Sequence, residues 1–388
     1  MRQRRFVIVF GTVALCLCLS TSRGEARSPD AQWDTIAQRG ITFVYDLQFE
    51  QAESVFHEMV SMRPHDPAGY FFLAMVDWWK IVIDIDNTKN DERFFDELDR
   101  VVDVCDSILE RDPNNINALF FKGGAIGFKG RLSFHRDDYL AAANAGRKAL
   151  PIVQQAAELD PNNDDILLGT GMYNYYAEVI PEEYPVVRPL LLFVPSGDRA
   201  KGLEQLKRAS EHGKYAAVET LYFLMQIYFF YEKDVPKALT IAQRLVSRFP
   251  DNPVFQRYLG RCRSVLGEWP ASEQIFLDMV ARAQAGRRGY VKSSEREAEY
   301  YIGLAEMGQR KYEAALTHLF RCDELSRTLD SKEASGFMTM ANLKAGVVYD
   351  LIGQREKALV QYRKVLSMKD YKDSHDQAER NIKTPATY

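Results

Sequence analysis

Histidine is the residue type in this chain best suited to metal or acid–base chemistry, and its spacing predicts neither. The six histidines, at positions 57, 65, 135, 212, 318 and 375, form no pair four residues apart around a glutamate, so the zinc-hydrolase helix is absent. The sequence contains no GxSxG, phosphate-binding glycine loop, CxxC or dinucleotide fingerprint. We therefore predict a protein that is not an enzyme and has no cofactor.

Three carboxylates come close together in the segment DIDNTKNDE, namely Asp84, Asp86 and Asp91. Their oxygens could hold a hard cation such as calcium. The segment lacks the turn glycine and the later glutamate of a helix–loop–helix calcium site. A solvated loop between two helices is the preferred interpretation, and no metal is predicted.

The cysteines outside the N-terminal segment are Cys105, Cys262 and Cys322, separated by 157 and 60 positions. That spacing matches no disulfide framework, although an oxidising compartment would permit a bridge. We expect buried thiols on helices.

The first residues have the order of a secretory signal. Three arginines precede an apolar run of 14 residues, 6–19, and small residues follow up to Ala26. The run is too short to cross a bilayer core, which takes roughly 20 helical residues. We predict a signal peptide over residues 1–26, a periplasmic or secreted protein, and no transmembrane segment in the mature chain.

Two other export routes are less well matched. A lipoprotein signal needs a small residue before its cysteine, whereas leucine precedes both Cys16 and Cys18. Arg4 and Arg5 before Phe6 faintly resemble a twin-arginine signal. Loss of residues 1–26 would change the formal net charge from −4 to −7, because four arginines and one glutamate lie there. A mildly acidic surface argues against nucleic acid as a partner.

The helices that would position a functional site are predicted by an internal repeat in the sequence. A small or compact residue is followed by alanine or another small residue 12 positions on and by apolar residues at 16 and 19, as in Gly40, Ala52, Phe56 and Met59. The same phase begins at positions 226, 260, 303 and 346. Small residues let two helices approach closely, and larger ones fill the space to the next pair. Strings such as RPHDP, RDPNN, LDPNN and FPDNP recur at the ends of units.

This pattern resembles the tetratricopeptide repeat (TPR), most clearly in GQREKALVQYRKVL, YEAALTHL and FEQAESVFHEMVSMRPHDP. The resemblance implies an all-α, right-handed superhelix of about seven to eight helix–turn–helix hairpins over residues 27–370. Insertions are expected near 80–97, 129–148 and 177–200, and residues 371–388 are expected to form a terminal helix and tail. A concave groove in this family commonly holds a peptide or a helix of a partner.

The resemblance also implies which residues face the groove, through fixed offsets on the first helix of each hairpin. These residues are Phe71, Met75, Trp78, Trp79, Phe120, Phe128, Met172, Tyr175, Tyr176, Phe223, Ile227, Phe230, Tyr231, Arg257 and Arg261. The N-terminal half of the groove is then aromatic and is followed by a basic step. Such a surface suits a segment with apolar anchors and an acidic residue.

Two interpretations of this surface stay open. The rings could instead pack against one another, since aromatic stripes at helical spacing are usually core. If the groove is open, the sequence predicts a scaffold or adaptor for a protein or peptide, and alternatively a binder of a lipid or glycan in its aromatic half.

The segment IPEEYPVVRPLLLFVPSGD, residues 180–198, interrupts the helical phase with four prolines. Its run LLLFV would be costly to expose to water. We expect this segment to fold into the groove beside Tyr175 and Tyr231, or else to contact a partner or a membrane.

Overall fold

The computed structural model describes residues 29–183, 195–330 and 333–387, and all regular structure in these ranges is helical. The first eight helices are α1 Pro29–Tyr45, α2 Phe49–Met62, α3 Pro67–Ile83, α4 Asp91–Leu109, α5 Ile116–His135, α6 Tyr139–Leu159, α7 Ile166–Glu183 and α8 Arg199–His212. The others are α9 Ala217–Gln226, α10 Val235–Arg248, α11 Pro253–Val265, α12 Trp269–Gln284, α13 Lys292–Gly308, α14 Tyr312–Leu329, α15 Gly336–Leu351, α16 Arg355–Leu366 and α17 Ser374–Lys383. The predicted signal peptide and most of the 180–198 segment lie outside the described residues.

In the part of the chain that the structure describes, consecutive helices pair into eight hairpins, from α1–α2 to α15–α16, and α17 packs against the last of them. Each hairpin also contacts the next one along the chain. The predicted all-α, right-handed superhelix of TPR-like hairpins is confirmed, at the upper end of the expected number of repeats.

The repeat phase has a direct structural cause in the hairpins where it begins with a glycine. A Cβ atom added to Gly260 would lie 2.5 Å from the ring of Phe276, 16 residues later. The same relation joins Gly346 to Tyr362, at 2.6 Å. The first helix therefore needs a small residue where the large side chain of the second helix crosses it.

The recurring Asp/Asn-rich strings begin helices as well as end them. The side chain of Asp66 accepts a hydrogen bond from the amide of Ala68 at the start of α3, and Asn252 does the same for Val254 at the start of α11. Pro67 and Pro253 occupy the first helical position, where no backbone donor is needed. One short string thus stops one helix and caps the next.

The extra residues expected near 129–148 lengthen helices instead of forming a loop. Helices α5 and α6 have 20 and 21 residues, and only positions 136–138 separate them. Near 80–97 the extra residues form the link between α3 and α4, positions 84–90.

The superhelix is wound tightly enough for its first hairpins to pack against later ones. Asn252 donates a hydrogen bond from Nδ2 to the carbonyl oxygen of Tyr45, at 2.9 Å. Ser293 at the start of α13 donates from Oγ to Asp84 Oδ1 after α3, at 2.6 Å. One hydrophobic core consequently joins α1–α5 to α9–α11. The inner face of the N-terminal half therefore lies against protein.

Candidate functional site: the inner face of the superhelix

Six of the residues assigned to an open groove are buried in the core of the protein. They are Trp78, Trp79, Phe128, Tyr175, Phe223 and Ile227, none of them more than 9% exposed. Trp79 packs edge-on against Tyr45 with ring centroids 4.9 Å apart, and the ring of Phe255 lies 5.5 Å from that of Trp79. For these six residues the structure corrects the groove assignment and matches the alternative, in which the rings pack against one another. For Trp79 the cause is the tight winding, which brings α11 against α1 and α3. Trp78 and Phe128 instead pack against each other between neighbouring hairpins, with ring centroids 5.4 Å apart.

Three more of the assigned residues lie at the margin of the same core. Phe71, Met75 and Phe120 are half-buried and pack against it. The ring of Phe71 lies 5.3 Å from that of Phe121. As half-buried side chains, they keep part of their surface accessible at the edge of this core.

A buried ion pair lies at the centre of the N-terminal half, which we call the closed half because its inner face is packed against protein. The sequence analysis did not predict this pair. Arg131 Nη1 on α5 lies 3.0 Å from Glu219 Oε1 on α9. The other carboxylate oxygen accepts hydrogen bonds from Trp79 Nε1 at 3.1 Å and Tyr45 Oη at 3.2 Å. The Arg131 guanidinium also lies over the ring of Phe223, 3.8 Å from its centroid. A single carboxylate in the apolar helix AVETLYFLMQ was the available signal, because a buried charge requires partners.

The most exposed of the assigned rings lies at the end of α9, where a π-helical turn, Ile227–Tyr231, extends the helix. Phe230 on this turn is 40% exposed, and Tyr231 is half-buried. The ring of Tyr231 lies 5.6 Å from that of Tyr176 on α7, and the ring of Phe230 lies 6.1 Å from that of Tyr258 on α11. We call these four residues the aromatic step: Phe230 is exposed, Tyr231 and Tyr176 are half-buried, and Tyr258 is buried at 5% exposure. They come from the first helices of three successive hairpins, which line the inner face.

The wider turn of a π-helix explains why neighbouring rings are displayed in this way. An insertion of this kind shifts the side-chain phase of the helix, and such turns are frequent at functional sites. Met172, also assigned to the groove, is half-buried beside the step. The turn ends before Lys233, whose φ of 56° starts the link to α10.

The predicted basic step is present, and its two arginines share one carboxylate. Arg261 Nε lies 2.6 Å from Glu297 Oε1 on α13, and Arg257 Nη1 lies 3.9 Å from the other oxygen of that carboxylate. Arg257 also donates a hydrogen bond from Nη2 to the carbonyl oxygen of Val82, at 3.2 Å. Arg257 therefore serves to hold α11 against α3.

The three carboxylates of the segment after α3 have separate partners. Asp84 accepts the hydrogen bond from Ser293, Asp86 lies 3.4 Å from Arg296 Nη2, and Asp91 lies 2.6 Å from Arg136 Nε. Within the described ranges, no three His, Cys, Asp or Glu residues are grouped so as to hold a metal. The three cysteines are buried and free.

A cleft of about 350 Å³ lies between α6, α7 and α8. It is lined by Leu150, Gln154, Ala157, Glu158, Thr170, Tyr173, Asn174, Lys201 and Gln205. Most of these side chains are polar, with one aromatic ring among them. The cleft therefore differs from the aromatic pocket that the sequence suggested for a lipid or glycan.

A scan against protein-family models gives no match for this sequence, and a search of curated proteins gives none. Among solved structures, the chain is similar to the APC/C hetero-tetramer Cut9–Hcn1, with 14% identity and a TM-score of 0.53. That similarity covers 94% of this chain but only 58% of the length of the other. The human IFIT1 dimer with PPP-AAAA is similar over 91% of this chain and 84% of the other, with 12% identity and a TM-score of 0.43.

At this level of identity the similarity to Cut9–Hcn1 concerns the fold. Together with the hairpin geometry, it defines the protein as a TPR-like helical repeat. None of the helices in the described ranges is long and apolar enough to span a bilayer.

Proposed function

We propose that this protein is an exported TPR-type scaffold or adaptor that holds a segment of a protein or peptide partner on its inner face. The observation that carries the proposal is the aromatic step. An exposed aromatic side chain that stands next to a rigid core, as Phe230 does, is a typical anchor of protein interfaces. The binding surface would run from this step over the first helices of the C-terminal hairpins.

The closed N-terminal half has a role in this proposal. Because its rings form a core that spans several hairpins, the position of α9 and α11 is fixed before any partner arrives, and a second core holds α7 against them. A preorganised surface loses less entropy on binding than a flexible one. A lipid or glycan in the N-terminal half, the alternative, would require the buried rings to become accessible.

Charge supports a protein partner over nucleic acid. The chain is mildly acidic as a whole, and the arginines of the inner face already have carboxylate partners. Nucleic-acid binding draws on many unpaired cations. The Cut9–Hcn1 chain belongs to an assembly of two different proteins, which is compatible with the proposal.

The test is affinity capture from an extract of the cell envelope with the immobilised mature chain. A double variant, Phe230→Ala with Tyr231→Ala, is expected to retain at least about ten-fold less partner than the native protein, the loss typical of an interface anchor. Tyr371→Ala is the matched control, since Tyr371 is 41% exposed outside the step. Equal retention by the double variant and the native protein would refute the proposed surface.

Export is tested separately. Expression of the full chain followed by osmotic shock should release a protein whose measured mass corresponds to cleavage near Ala26. A mass that includes a lipid on Cys16 or Cys18 would instead establish anchoring, and an uncleaved cytoplasmic chain would refute export.

A further inference from the structure

The cleft of about 350 Å³ between α6, α7 and α8 lies on the other side of α7 from the aromatic step. Thr170 and Asn174 line the cleft, and Met172 and Tyr176 follow them by two residues each. Two residues correspond to about 200° around a helix of 3.6 residues per turn, so the two pairs face opposite ways. The cleft is therefore separate from the inner face on which the proposed function depends.

Close helix contacts fix the walls of the cleft. A Cβ atom added to Gly169 on α7 would lie 2.9 Å from Val153 Cγ1 on α6. A Cβ atom added to Gly202 on α8 would lie 2.6 Å from the backbone nitrogen of Tyr175 on α7. Glycine thus lets both second helices pack tightly against α7. A pocket with fixed walls loses little entropy when it takes up a ligand.

Two amide side chains that line the cleft hold each other in place. Asn174 Nδ2 donates a hydrogen bond to Gln205 Oε1 at 2.7 Å. Within the described ranges this leaves Asn174 Oδ1 as an acceptor without a donor and Gln205 Nε2 as a donor without an acceptor. The hydroxyl of Thr170, a lining residue only 8% exposed, also has no hydrogen-bond partner there. A ligand hydroxyl can complete either amide, because it both donates and accepts.

The charges of the lining favour a neutral ligand. Glu158 and Lys201 line the cleft with one charge of each sign, and both are exposed. The less exposed polar groups, on Thr170, Asn174 and Gln205, are uncharged. A phosphorylated ligand would require several converging cations, and a zwitterionic amino acid would require a buried partner for each of its charges.

The ring of Tyr173 supplies an apolar surface beside these amides. This side chain is half-buried, and its hydroxyl donates a hydrogen bond to the carbonyl oxygen of Pro195, which restrains the ring. A sugar presents C–H groups on a face of its ring and hydroxyls around the edge, so it matches an aromatic ring flanked by amides. The volume of about 350 Å³ lies within the range of small-molecule pockets.

We infer that this cleft is a binding site for a neutral sugar. The Tyr173 ring would pack against the C–H face of the sugar, while Asn174 Oδ1 and Gln205 Nε2 would form hydrogen bonds with its hydroxyls. The inference goes beyond the proposed function, because the cleft lies outside the inner face and takes a small molecule in place of a protein segment.

Isothermal titration calorimetry of the purified protein with glucose, galactose, N-acetylglucosamine and maltose, each in turn, tests the inference. At least one of these sugars should bind the native protein. Tyr173→Phe and Tyr173→Ala both lose the hydrogen bond to Pro195, but only the second loses the ring. Tyr173→Phe should bind the sugar as the native protein does, and Tyr173→Ala at least about ten-fold more weakly. Equal affinities of Tyr173→Ala and the native protein would overturn the inference.

A second pair of variants tests the amides. Gln205→Met removes the donor from the cleft and should weaken sugar binding about ten-fold. Gln155→Met on α6 is the matched control, because Gln155 Nε2 donates hydrogen bonds outside the cleft, to Pro113 O and Asn114 Oδ1, both at 3.1 Å. The control should bind the sugar as the native protein does. An unchanged affinity of Gln205→Met, or an equal loss in both variants, would overturn the inference.

The remaining outcomes separate the cleft from the inner face. Phe230→Ala with Tyr231→Ala should leave the affinity for the sugar unchanged, whereas Gln205→Met should capture a protein partner as the native protein does. Loss of sugar binding in the Phe230 and Tyr231 variant would place the sugar on the aromatic step and overturn the inference. Binding of none of the four sugars would also overturn it and would leave the proposed function intact.

Discussion

The indole nitrogen of Trp79 donates a hydrogen bond to the carboxylate of Glu219 at 3.1 Å, although the two residues lie 140 positions apart. This bond connects the second hairpin to the fifth, across what would be the open centre of a wider superhelix. The same carboxylate balances the charge of Arg131 from the third hairpin. The N-terminal half is therefore one closed unit organised around a single acidic side chain.

Removal of that carboxylate should loosen the closed half. Glu219→Ala leaves Arg131 buried without a counter-charge, and breaking a buried pair in this way costs about 3–5 kcal/mol of unfolding free energy. Urea denaturation measures the loss. Glu324→Ala is the control, because Glu324 lies 2.7 Å from Arg321 but its side chain is 67% exposed. The control should change stability by less than about 1 kcal/mol, and a similarly small change for Glu219→Ala would contradict the central role of the ion pair.

Two aromatic residues that the sequence assigned to one groove should respond differently to truncation. Trp78→Ala removes a fully buried ring and should cost about 3–5 kcal/mol of stability. Phe230→Ala removes a ring that is 40% exposed and should cost about 1 kcal/mol or less. Thermal unfolding followed by circular dichroism distinguishes the two variants. Equal losses would show that the aromatic step belongs to the core.

The small residue of the repeat phase can be tested with two glycines. Gly260→Ala would force a methyl group to within 2.5 Å of the Phe276 ring, and such overpacking typically costs about 1–3 kcal/mol. Gly127→Ala on α5 meets no atom within 4 Å, so it should stabilise the helix by roughly 0.5–1 kcal/mol. Opposite signs in chemical denaturation are the expected result. The same sign for both would contradict the packing explanation of the repeat.

A pH dependence is expected from a cluster of charges between α3 and α4. Burial, followed by the negative charge of Asp77, raises the pKa of Glu97 to about 7, even though Arg93 Nε lies 3.1 Å away. A raised pKa in the folded state means that the contribution of Glu97 to stability is present below its unfolded pKa and is lost as pH rises through about 7.

Glu97→Gln removes this dependence and keeps an acceptor for Arg93. The variant and the native protein should have the same unfolding free energy at pH 4.5. At pH 8 the unfolding free energy of the variant should be higher by about 1–2 kcal/mol. This difference is a fraction of the full linkage effect, because the side chain is partly solvated. Denaturation curves at the two pH values measure the difference. An advantage that is equal at both pH values would rule out titration of Glu97 as its cause.

The hairpins could be predicted because their determinants are local. Gly260 and Phe276 lie 16 residues apart within one hairpin, so the spacing that makes two helices fit also appears as a period in the sequence. The same holds for caps such as Asn252, which acts on an amide two residues away.

The closed inner face could not be predicted in the same way. Whether Trp79 faces a groove or meets Tyr45 and Phe255 depends on the pitch of the superhelix, which accumulates from small rotations between hairpins. The sequence did predict the aromatic character of this face. It could not show that α11 returns to cover α1 and α3, nor that Glu297 neutralises Arg261.

The central claim is that a partner binds the inner face from the aromatic step towards the C-terminus. A photo-crosslinking phenylalanine analogue tests this claim most directly when it is placed at Phe230, on the π-helical turn, and at Val360, which is 57% exposed on the second helix α16. After irradiation in an envelope extract, a discrete crosslinked product should form from position 230 and not from position 360. A product from position 360 alone, or from both positions equally, would contradict the claim.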